Sequence, residues 1–103
     1  MKRIFFLGDT LDCIRDFPLS ARKEAGTELR RVQMGLEPTD WKPMKTVGAG
    51  VREIRVRDET GAYRVIYVLD KADAIYVLNA FQKKSQKTPK HELDLAARRL
   101  KLV

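Results

Sequence analysis

The chain has 103 residues, 44% of them hydrophobic and 34% charged, with 21 lysines and arginines against 14 acidic residues and a net charge of +7. Its length suits one domain spanning residues 1–103, and its composition is that of a globular protein, which excludes a fibre or a disordered tail. The single cysteine and the single histidine exclude an intrachain disulfide and a metal site built from several such residues, so metal-dependent chemistry would need carboxylates alone.

The first third of the chain predicts a short strand and two helices. Residues 4–7 form an apolar run that Gly8 ends, as expected for a strand. Pro18 then separates a short helix from a longer one, and Gly35 should end the second. Apolar residues recur at helical spacing in both: Leu11, Ile14 and Phe17, then Ala21, Ala25, Leu29, Val32 and Leu36. The charged residues of the longer helix, Glu28 among them, should face largely away from this apolar side.

Residues 37–50 predict a connecting loop, because they contain two prolines and no clean period. Three strands are then predicted at residues 51–57, 63–69 and 74–81, the first two joined by the turn at 58–61 as an antiparallel hairpin. Two sets of residues alternate along the first of these strands: Arg52, Ile54 and Val56, and Glu53, Arg55 and Arg57. The two sets should therefore lie on opposite faces of the sheet.

A last helix is predicted after Thr88, which would be its N-cap, with Pro89 at the first helical position. Its buried side and its basic last turn follow from the spacing: Leu93, Ala96, Ala97 and Leu100 on the first, Arg98, Arg99 and Lys101 in the second. The order of elements predicts an α+β fold. It consists of a small antiparallel sheet, mixed at the first strand, with two N-terminal helices and one C-terminal helix.

Basic charge is concentrated at the C-terminal end. Residues 82–103 hold seven bases against two acids, a net charge of +5. This balance favours a polyanionic partner such as nucleic acid or an acidic protein. No stretch approaches the length of a membrane span, and Asp9 and Asp12 interrupt the faint likeness of the first residues to a signal peptide. We therefore expect a cytoplasmic protein without a membrane partner.

Five basic residues form the strongest candidate site: Arg55, Arg57, Arg64, Lys83 and Lys84. They converge if the hairpin forms, and guanidinium groups suit bidentate contact with phosphate oxygens. Such a cluster could bind RNA. It could also stabilise the negative charge that develops when RNA is cleaved through its own 2′-hydroxyl. The competing interpretation is that basic residues on half-exposed strands keep the protein soluble and resist aggregation at a sheet edge.

Arg64 shares its strand parity with Ile66 and Val68, so it is expected towards the more apolar side of the sheet. A partly buried arginine needs a partner, and Glu53 and Asp70 are the candidates.

Other residues carry weaker signals. His91 is a possible general base, although a lone histidine in the first turn of a helix is more often simply exposed. The strand tyrosines and Trp41 could stack on bases, but tyrosines in strands commonly serve packing, and Trp41 is expected to cover one edge of the core. Cys13 is expected to be a small core residue.

Four segments together resemble the RelE/ParE toxin superfamily, specifically its phage-related HigB-like branch. They are EIR (53–55), GAYRVIY (61–67), FQKKSQKTP (81–89) and ELDLAARR (92–99). The resemblance implies a RelE-like fold and the toxin of a type II toxin–antitoxin pair. Relatives cleave messenger RNA, usually on the ribosome, without a metal or small-molecule cofactor. The implied partners are messenger RNA, the ribosome and a cognate helix-turn-helix antitoxin.

The resemblance also assigns residues. Four of them would form the catalytic cleft of relatives: Arg55, Arg57, Arg64 and Lys84. Four more would bind RNA beside it: Lys83, Lys87, Lys90 and His91. Two features depart from the pattern. Some ribonuclease members have a further basic residue at the position of Glu53. In addition, no aromatic residue follows Phe81, where certain relatives have one. Proton transfer is left to Lys84, Lys87 or His91. An inhibitor of DNA gyrase of the ParE kind and a non-catalytic, phage-related RNA-binding protein remain as alternatives.

Overall fold

The computed structural model describes residues 1–103 and contains a five-stranded sheet with three helices. In chain order the elements are β1 (Ile4–Phe6), α1 (Thr10–Arg15), α2 (Leu19–Gln33), β2 (Trp41–Pro43), β3 (Arg52–Asp58), β4 (Gly61–Leu69), β5 (Ile75–Lys83) and α3 (Lys90–Leu100). The strand order is β1-β5-β4-β3-β2, with β1 parallel to β5 and every other pair antiparallel. The predicted α+β fold with a sheet mixed at its first strand is confirmed.

One face of the sheet is covered by α1 and α2. Ala21 and Ala25 are fully buried against the sheet, and their small side chains let α2 lie close to it. The core on this α1/α2 face combines helical and strand residues: Ile14, Phe17, Ala21, Ala25, Leu29, Val32, Ile54, Val56, Tyr63, Val65, Tyr67, Ile75, Val77 and Ala80. Each fully buried large apolar side chain contributes about 1.5–3 kcal/mol. This core therefore anchors the strands whose other face carries the charges.

The opposite face is covered only in part. Helix α3 packs across β5, together with the segment that connects β2 and β3. The core on this α3 face is smaller: Met44, Val47, Val51, Ile66, Val68, Leu78, Phe81 and Ala96. The half of the sheet that α3 leaves open contains the charged positions of β3 and β4. No helix is long and apolar enough to cross a lipid bilayer.

A one-residue bulge in β5 changes which face its later residues occupy. The register between β4 and β5 shifts between Ile66 and Tyr67, which leaves Leu78 without a partner in β4. Val77, before the bulge, lies in the core of the α1/α2 face, and with unbroken alternation Lys83 would point to the same side. The bulge instead turns Lys83 to the α3 face, because one extra residue reverses the alternation.

Strand β2 lies within residues 37–50, so the prediction of a loop there is wrong at three residues. Trp41 and Pro43 are aligned with Ile54 and Arg52 of β3. A short edge strand tolerates proline, because one of its sides needs no partner. The guanidinium of Arg52 lies 4.1 Å from the centre of the Trp41 ring, and this cation–π contact holds the strand that the sequence pattern did not indicate.

Two predictions for α2 are wrong. The helix ends at Gln33, and Leu36 lies beyond it with 50% of its surface exposed. Glu28 was expected on the outer side but is buried at 6% exposure. Its Oε2 accepts a hydrogen bond of 2.6 Å from the backbone N–H of Thr39. A carboxylate with such a partner can be buried, since its charge is satisfied by a donor from the chain that leaves the helix.

The start of α3 is one residue later than predicted. The helix begins at Lys90, with Pro89 in the N-cap position, and the side chain of Thr88 makes no capping hydrogen bond. Proline cannot supply a side-chain oxygen, so the first turn is stabilised instead by the backbone N–H of Glu92, which donates to the carbonyl of Pro89 at 3.1 Å.

Candidate functional site

The open half of the α3 face contains a cleft of about 510 Å³ at the end of β5. Four of its lining residues are basic: Arg57, Arg64, Lys83 and Lys84; the others are Ala62, Ser85 and Gln86. These seven residues are called the basic cleft below. Ala62 of β4 is aligned with Arg57 on one side and Lys83 on the other. Its small side chain leaves the space between the two cations open.

Arg64 is the most deeply placed cation of the basic cleft, with 5% of its surface exposed. Its Nη1 donates a hydrogen bond of 3.0 Å to the carbonyl of Tyr63, and its Nε lies 3.5 Å from Oε1 of Glu53. Burial lowers the pKa of Arg64, and the charge of Glu53 opposes this shift. The expected partial burial and the pairing with Glu53 are both found. Asp70, the other candidate partner, instead accepts the backbone N–H groups of Ala72 and Ala74.

Glu53 lies between two arginines. It is 2% exposed, and its Oε1 is 3.5 Å from the Nε of Arg64 and 3.5 Å from the Nε of Arg55. Arg55 and Arg64 are directly opposite each other in the β3–β4 register. Two like charges in this position repel each other, so the carboxylate between them offsets the repulsion.

Lys83 is affected by the other cations. Burial lowers the pKa of its ammonium, and the charges of Arg64, Lys42 and Arg55 lower it further. Lys42 therefore belongs to the same electrostatic environment, since it is aligned with Glu53 on the α3 face. Sequence reasoning missed Lys42, because its position depends on the pairing of a three-residue strand in a segment expected to be a loop.

The remaining basic residues of the C-terminal region lie outside the lining of the basic cleft. Lys87 is exposed in the connection between β5 and α3. Lys90 pairs with Asp94 one helical turn away at 3.0 Å. The side chain of His91 is 79% exposed, and its Nε2 is 3.8 Å from a carboxylate oxygen of Glu92. The structure thus brings Arg57, Arg64, Lys83 and Lys84 together, with Arg55 joined to them through Glu53. Lys87, Lys90 and His91 lie apart from this group.

The weaker candidates of the sequence serve packing. Tyr63 and Tyr67 are 1% exposed, and Tyr76 stacks on Phe5 with ring centres 5.2 Å apart. Cys13 packs against the core of the α1/α2 face, and burial raises the pKa of its thiol. No cluster of three or more histidine, cysteine, aspartate or glutamate side chains is arranged to hold a metal ion.

A second cavity of about 380 Å³ lies between α1, β5 and α3. Three acidic residues line it, Asp9, Asp16 and Glu92, and no lysine or arginine does. An RNA phosphate would be repelled there, so the basic cleft is the site that suits a polyanion.

A family model described as phage derived protein Gp49-like matches residues 12–101. Among solved structures, an arginine double mutant of the E. coli toxin RelE in the free state has the same fold, with a TM-score of 0.72 over 96% of this chain and 97% of that chain, at 14% sequence identity. No curated protein matches the sequence significantly. The predicted resemblance to the RelE superfamily is confirmed. At 14% identity the structural likeness shows the fold alone.

Proposed function

The chain belongs to the Gp49-like family of phage-derived proteins, and from this membership and its basic cleft we propose that it is the toxin of a type II toxin–antitoxin pair that cleaves messenger RNA on the ribosome. The RelE fold supports a toxin, since a solved structure of that fold is the toxin RelE. The nuclease assignment rests on one observation. Arg64 is a nearly buried guanidinium held at the cleft by Glu53 and the Tyr63 carbonyl.

The proposed reaction uses the RNA's own 2′-hydroxyl. Its oxygen attacks the adjacent phosphorus, the bond from phosphorus to the 5′-oxygen breaks, and the products are a 2′,3′-cyclic phosphate and a 5′-hydroxyl. Negative charge grows on the phosphorus oxygens as five bonds form. Arg64 would stabilise that charge more than the charge of the bound substrate, because Glu53 and the Tyr63 carbonyl set its orientation before RNA arrives. Arg57 adds a second positive charge at the rim of the cleft. The reaction proposed here needs no metal, since fixed cations take that role.

Two protons must move in this reaction. A base takes the proton of the 2′-hydroxyl, and an acid gives one to the leaving 5′-oxygen. Lys83 and Lys84 line the cleft beside Arg64, and the lowered pKa of Lys83 favours it for one of these transfers, because an acid or base works best when its pKa is near the working pH. Lys87 and His91 do not line the cleft. We therefore assign proton transfer to the two cleft lysines.

The partner that controls such a toxin is a cognate helix-turn-helix antitoxin. An antitoxin that covers the basic cleft would need acidic groups to match Arg57, Lys83 and Lys84, because burying unpaired cations is costly. Lys87 and Lys90 extend the basic surface beyond the cleft and are proposed to contact RNA away from the cleavage point. His91 shares this exposed position.

The test is to map RNA 5′ ends after brief induction in bacteria. We expect growth arrest and new cuts within translated messages for the wild type. Arg64→Ala should reduce cutting by about 10²–10³-fold, while circular dichroism reports an intact fold. Arg22→Ala, on the exposed side of α2, is the matched control and should cut like the wild type.

The same experiment separates the alternatives. A DNA damage response without new RNA ends would support a gyrase inhibitor and reject the nuclease. Absence of growth arrest, together with salt-sensitive RNA binding, would support a non-catalytic RNA-binding protein. Cutting by folded Arg64→Ala at the wild-type rate would show that the role given to Arg64 is wrong.

A further inference from the structure

Three charged side chains of the α3 face form one connected group beside the basic cleft. Arg55 and Arg64 are cross-strand neighbours, and Glu53 precedes Arg55 by two positions on the same face of β3. One oxygen, Oε1 of Glu53, is 3.5 Å from the Nε of both arginines. The exposed fractions of the side chains are 2% for Glu53, 7% for Arg64 and 35% for Arg55. The carboxylate is therefore the least exposed member of the group, and Arg55 is the most exposed.

This arrangement constrains both guanidiniums from one side. A guanidinium is planar, so contacts at two of its nitrogens set the direction of the third. In Arg64 those contacts are a hydrogen bond from Nη1 to the carbonyl of Tyr63 and an ion pair of Nε with Glu53 at 3.5 Å. Its Nη2 is the donor group that remains for an anion in the cleft. Arg55 has only an ion pair, with its Nε 3.5 Å from Glu53, and both of its terminal nitrogens remain available.

The group is not fully satisfied without a ligand. The Nε of Arg55 is buried and has no hydrogen-bond partner. Its distance of 3.5 Å from Glu53 exceeds the length of a charge-assisted hydrogen bond, which is about 2.7–2.9 Å. A small movement of Arg55 would close this bond. An anion that draws the terminal nitrogens of Arg55 towards Arg64 would produce such a movement.

We propose that Glu53 is a positioning residue of the basic cleft, whose carboxylate holds Arg55 and Arg64 in the orientation that binds the scissile phosphate, without touching RNA itself. The inference rests on the proposed nuclease function. A role as general base is disfavoured, because Glu53 is 2% exposed and its carboxylate is therefore out of reach of a 2′-hydroxyl on RNA bound in the cleft. Glu53, which stands where some relatives have a basic residue, thus orients two arginines and does not take over the role of that basic residue.

A positioning carboxylate has opposite effects on binding and chemistry. Its negative charge opposes the approach of RNA phosphates, whereas its contacts orient the arginines for the transition state. Glu53→Gln keeps the size of the side chain and removes the charge. The variant should bind RNA at least as tightly as the wild type, so KM should stay or fall. Its kcat should fall by about 10²-fold, the cost of a catalytic group displaced by about 1 Å.

The matched control is Glu59→Gln, because Glu59 is exposed in the turn between β3 and β4 and the charge change is the same. It should leave kcat unchanged. If Glu53→Gln does not fold, as judged by circular dichroism, Glu53→Asp replaces it. Aspartate keeps the charge on a shorter side chain and should recover part of kcat. A folded Glu53 variant with wild-type kcat, or one in which KM rises and kcat does not change, would overturn the inference.

A second measurement tests the positioning role of Glu53 independently of RNA cleavage. The Nε–H signals of Arg55 and Arg64 in NMR spectra report whether each guanidinium is held in one orientation. We expect a sharp Arg64 signal in the wild type and in Glu59→Gln, and a broadened Arg64 signal in Glu53→Gln. If the wild type does not cut RNA, the proposed function fails, and these signals still test the positioning. Equal signals in the wild type and Glu53→Gln would overturn it.

Discussion

Arg99 in the last turn of α3 donates a hydrogen bond of 2.8 Å from Nη2 to Oδ1 of Asp9, 90 positions earlier in the chain. Its Nη1 donates to the carbonyl of Leu78 at 3.1 Å. One guanidinium therefore joins α3 to the turn after β1 and to the bulge of β5. Gly8 makes room for it, because a Cβ there would lie 2.5 Å from Nη2 of Arg99. The basic last turn of α3 does more than complement the helix dipole.

Arg99→Met should destabilise the fold. Methionine keeps the apolar stem of the side chain and removes both hydrogen bonds, which leaves the Leu78 carbonyl without this donor. We expect the free energy of unfolding to fall by about 1–2 kcal/mol. In a domain of this size each kcal/mol lowers Tm by about 4–8 °C. Arg98→Met is the control, because Arg98 is exposed and has no ion pair. Equal melting temperatures for the two variants would contradict the role of Arg99.

The pair also predicts a pH dependence. The hydrogen bond from Arg99 holds the pKa of Asp9 below its ordinary value of 3.8. A carboxyl with a lower pKa in the folded state stabilises the fold above its unfolded pKa, and this contribution is lost as pH falls through the folded pKa. The difference in Tm between the wild type and Asp9→Asn should therefore be constant near neutrality and shrink below about pH 4. A difference that grows on acidification would reverse the assigned sign.

The bulge of β5 should depend on Asn79, which is 2% exposed. Its Nδ2 donates to the carbonyl and to Oε1 of Glu92 at 2.9 and 3.0 Å, and its Oδ1 accepts the N–H of Ala80 at 2.9 Å. Asn79→Ala removes three hydrogen bonds, one of them to the buried N–H of Ala80, and should cost about 1–3 kcal/mol. Gln82→Ala, at an exposed position of the same strand, should cost far less. Chemical denaturation of both variants measures the difference.

The sequence could predict the hairpin and the parity of Arg64, because alternation of side chains in β3 and β4 is unbroken from one end of the pairing to the other. It could not place Lys83. The face of Lys83 depends on the bulge at Leu78, and Asn79 next to the bulge is hydrogen-bonded to Glu92, a residue of another element. Asn79 and Glu92 are 13 positions apart, and a contact at that separation leaves no periodic pattern of hydrophobic residues in the strand.

The same reason explains the missed edge of the site. Lys42 faces the cations because β2 pairs with β3 over only three residues, too few for alternation to be recognised beside two prolines. Glu53 was visible as a possible partner of Arg64 from parity. Glu53 also contacts Arg55. That second contact depends on side-chain orientation, which a pattern of alternation does not predict.

Arg57 should contribute to RNA affinity through phosphate contact. Its side chain is exposed at the rim of the basic cleft. Each phosphate contact that is lost reduces the slope of log Kobs against log salt by about 0.7 for single strands. Arg57→Ala should therefore weaken binding of a fluorescent single-stranded RNA oligonucleotide and give a shallower slope. Lys71→Ala, in the turn between β4 and β5, removes the same charge away from the cleft and should leave the slope unchanged. Equal slopes for both variants would remove Arg57 from the RNA-binding surface.

Lys83 should titrate at a pKa lowered by burial and by its charged neighbours. Burial lowers the pKa first, and Arg64, Lys42 and Arg55 add to the shift, while Glu53 opposes it. Removing a cation should therefore raise the pKa of Lys83, with a larger rise in Arg64→Met than in Lys42→Met. Glu53→Gln should lower it further. NMR titration of the Lys83 side chain measures each value directly, and Lys45→Met serves as an exposed control.

The titration also bears on the chemistry. The limb of the pH–rate profile that belongs to Lys83 should move with its pKa, because the fraction in the reactive protonation state follows that value. In Lys42→Met this limb should shift to higher pH, although Lys42 itself does not line the basic cleft. A shift of the Lys83 titration without a matching shift of the rate profile would assign proton transfer to Lys84 instead.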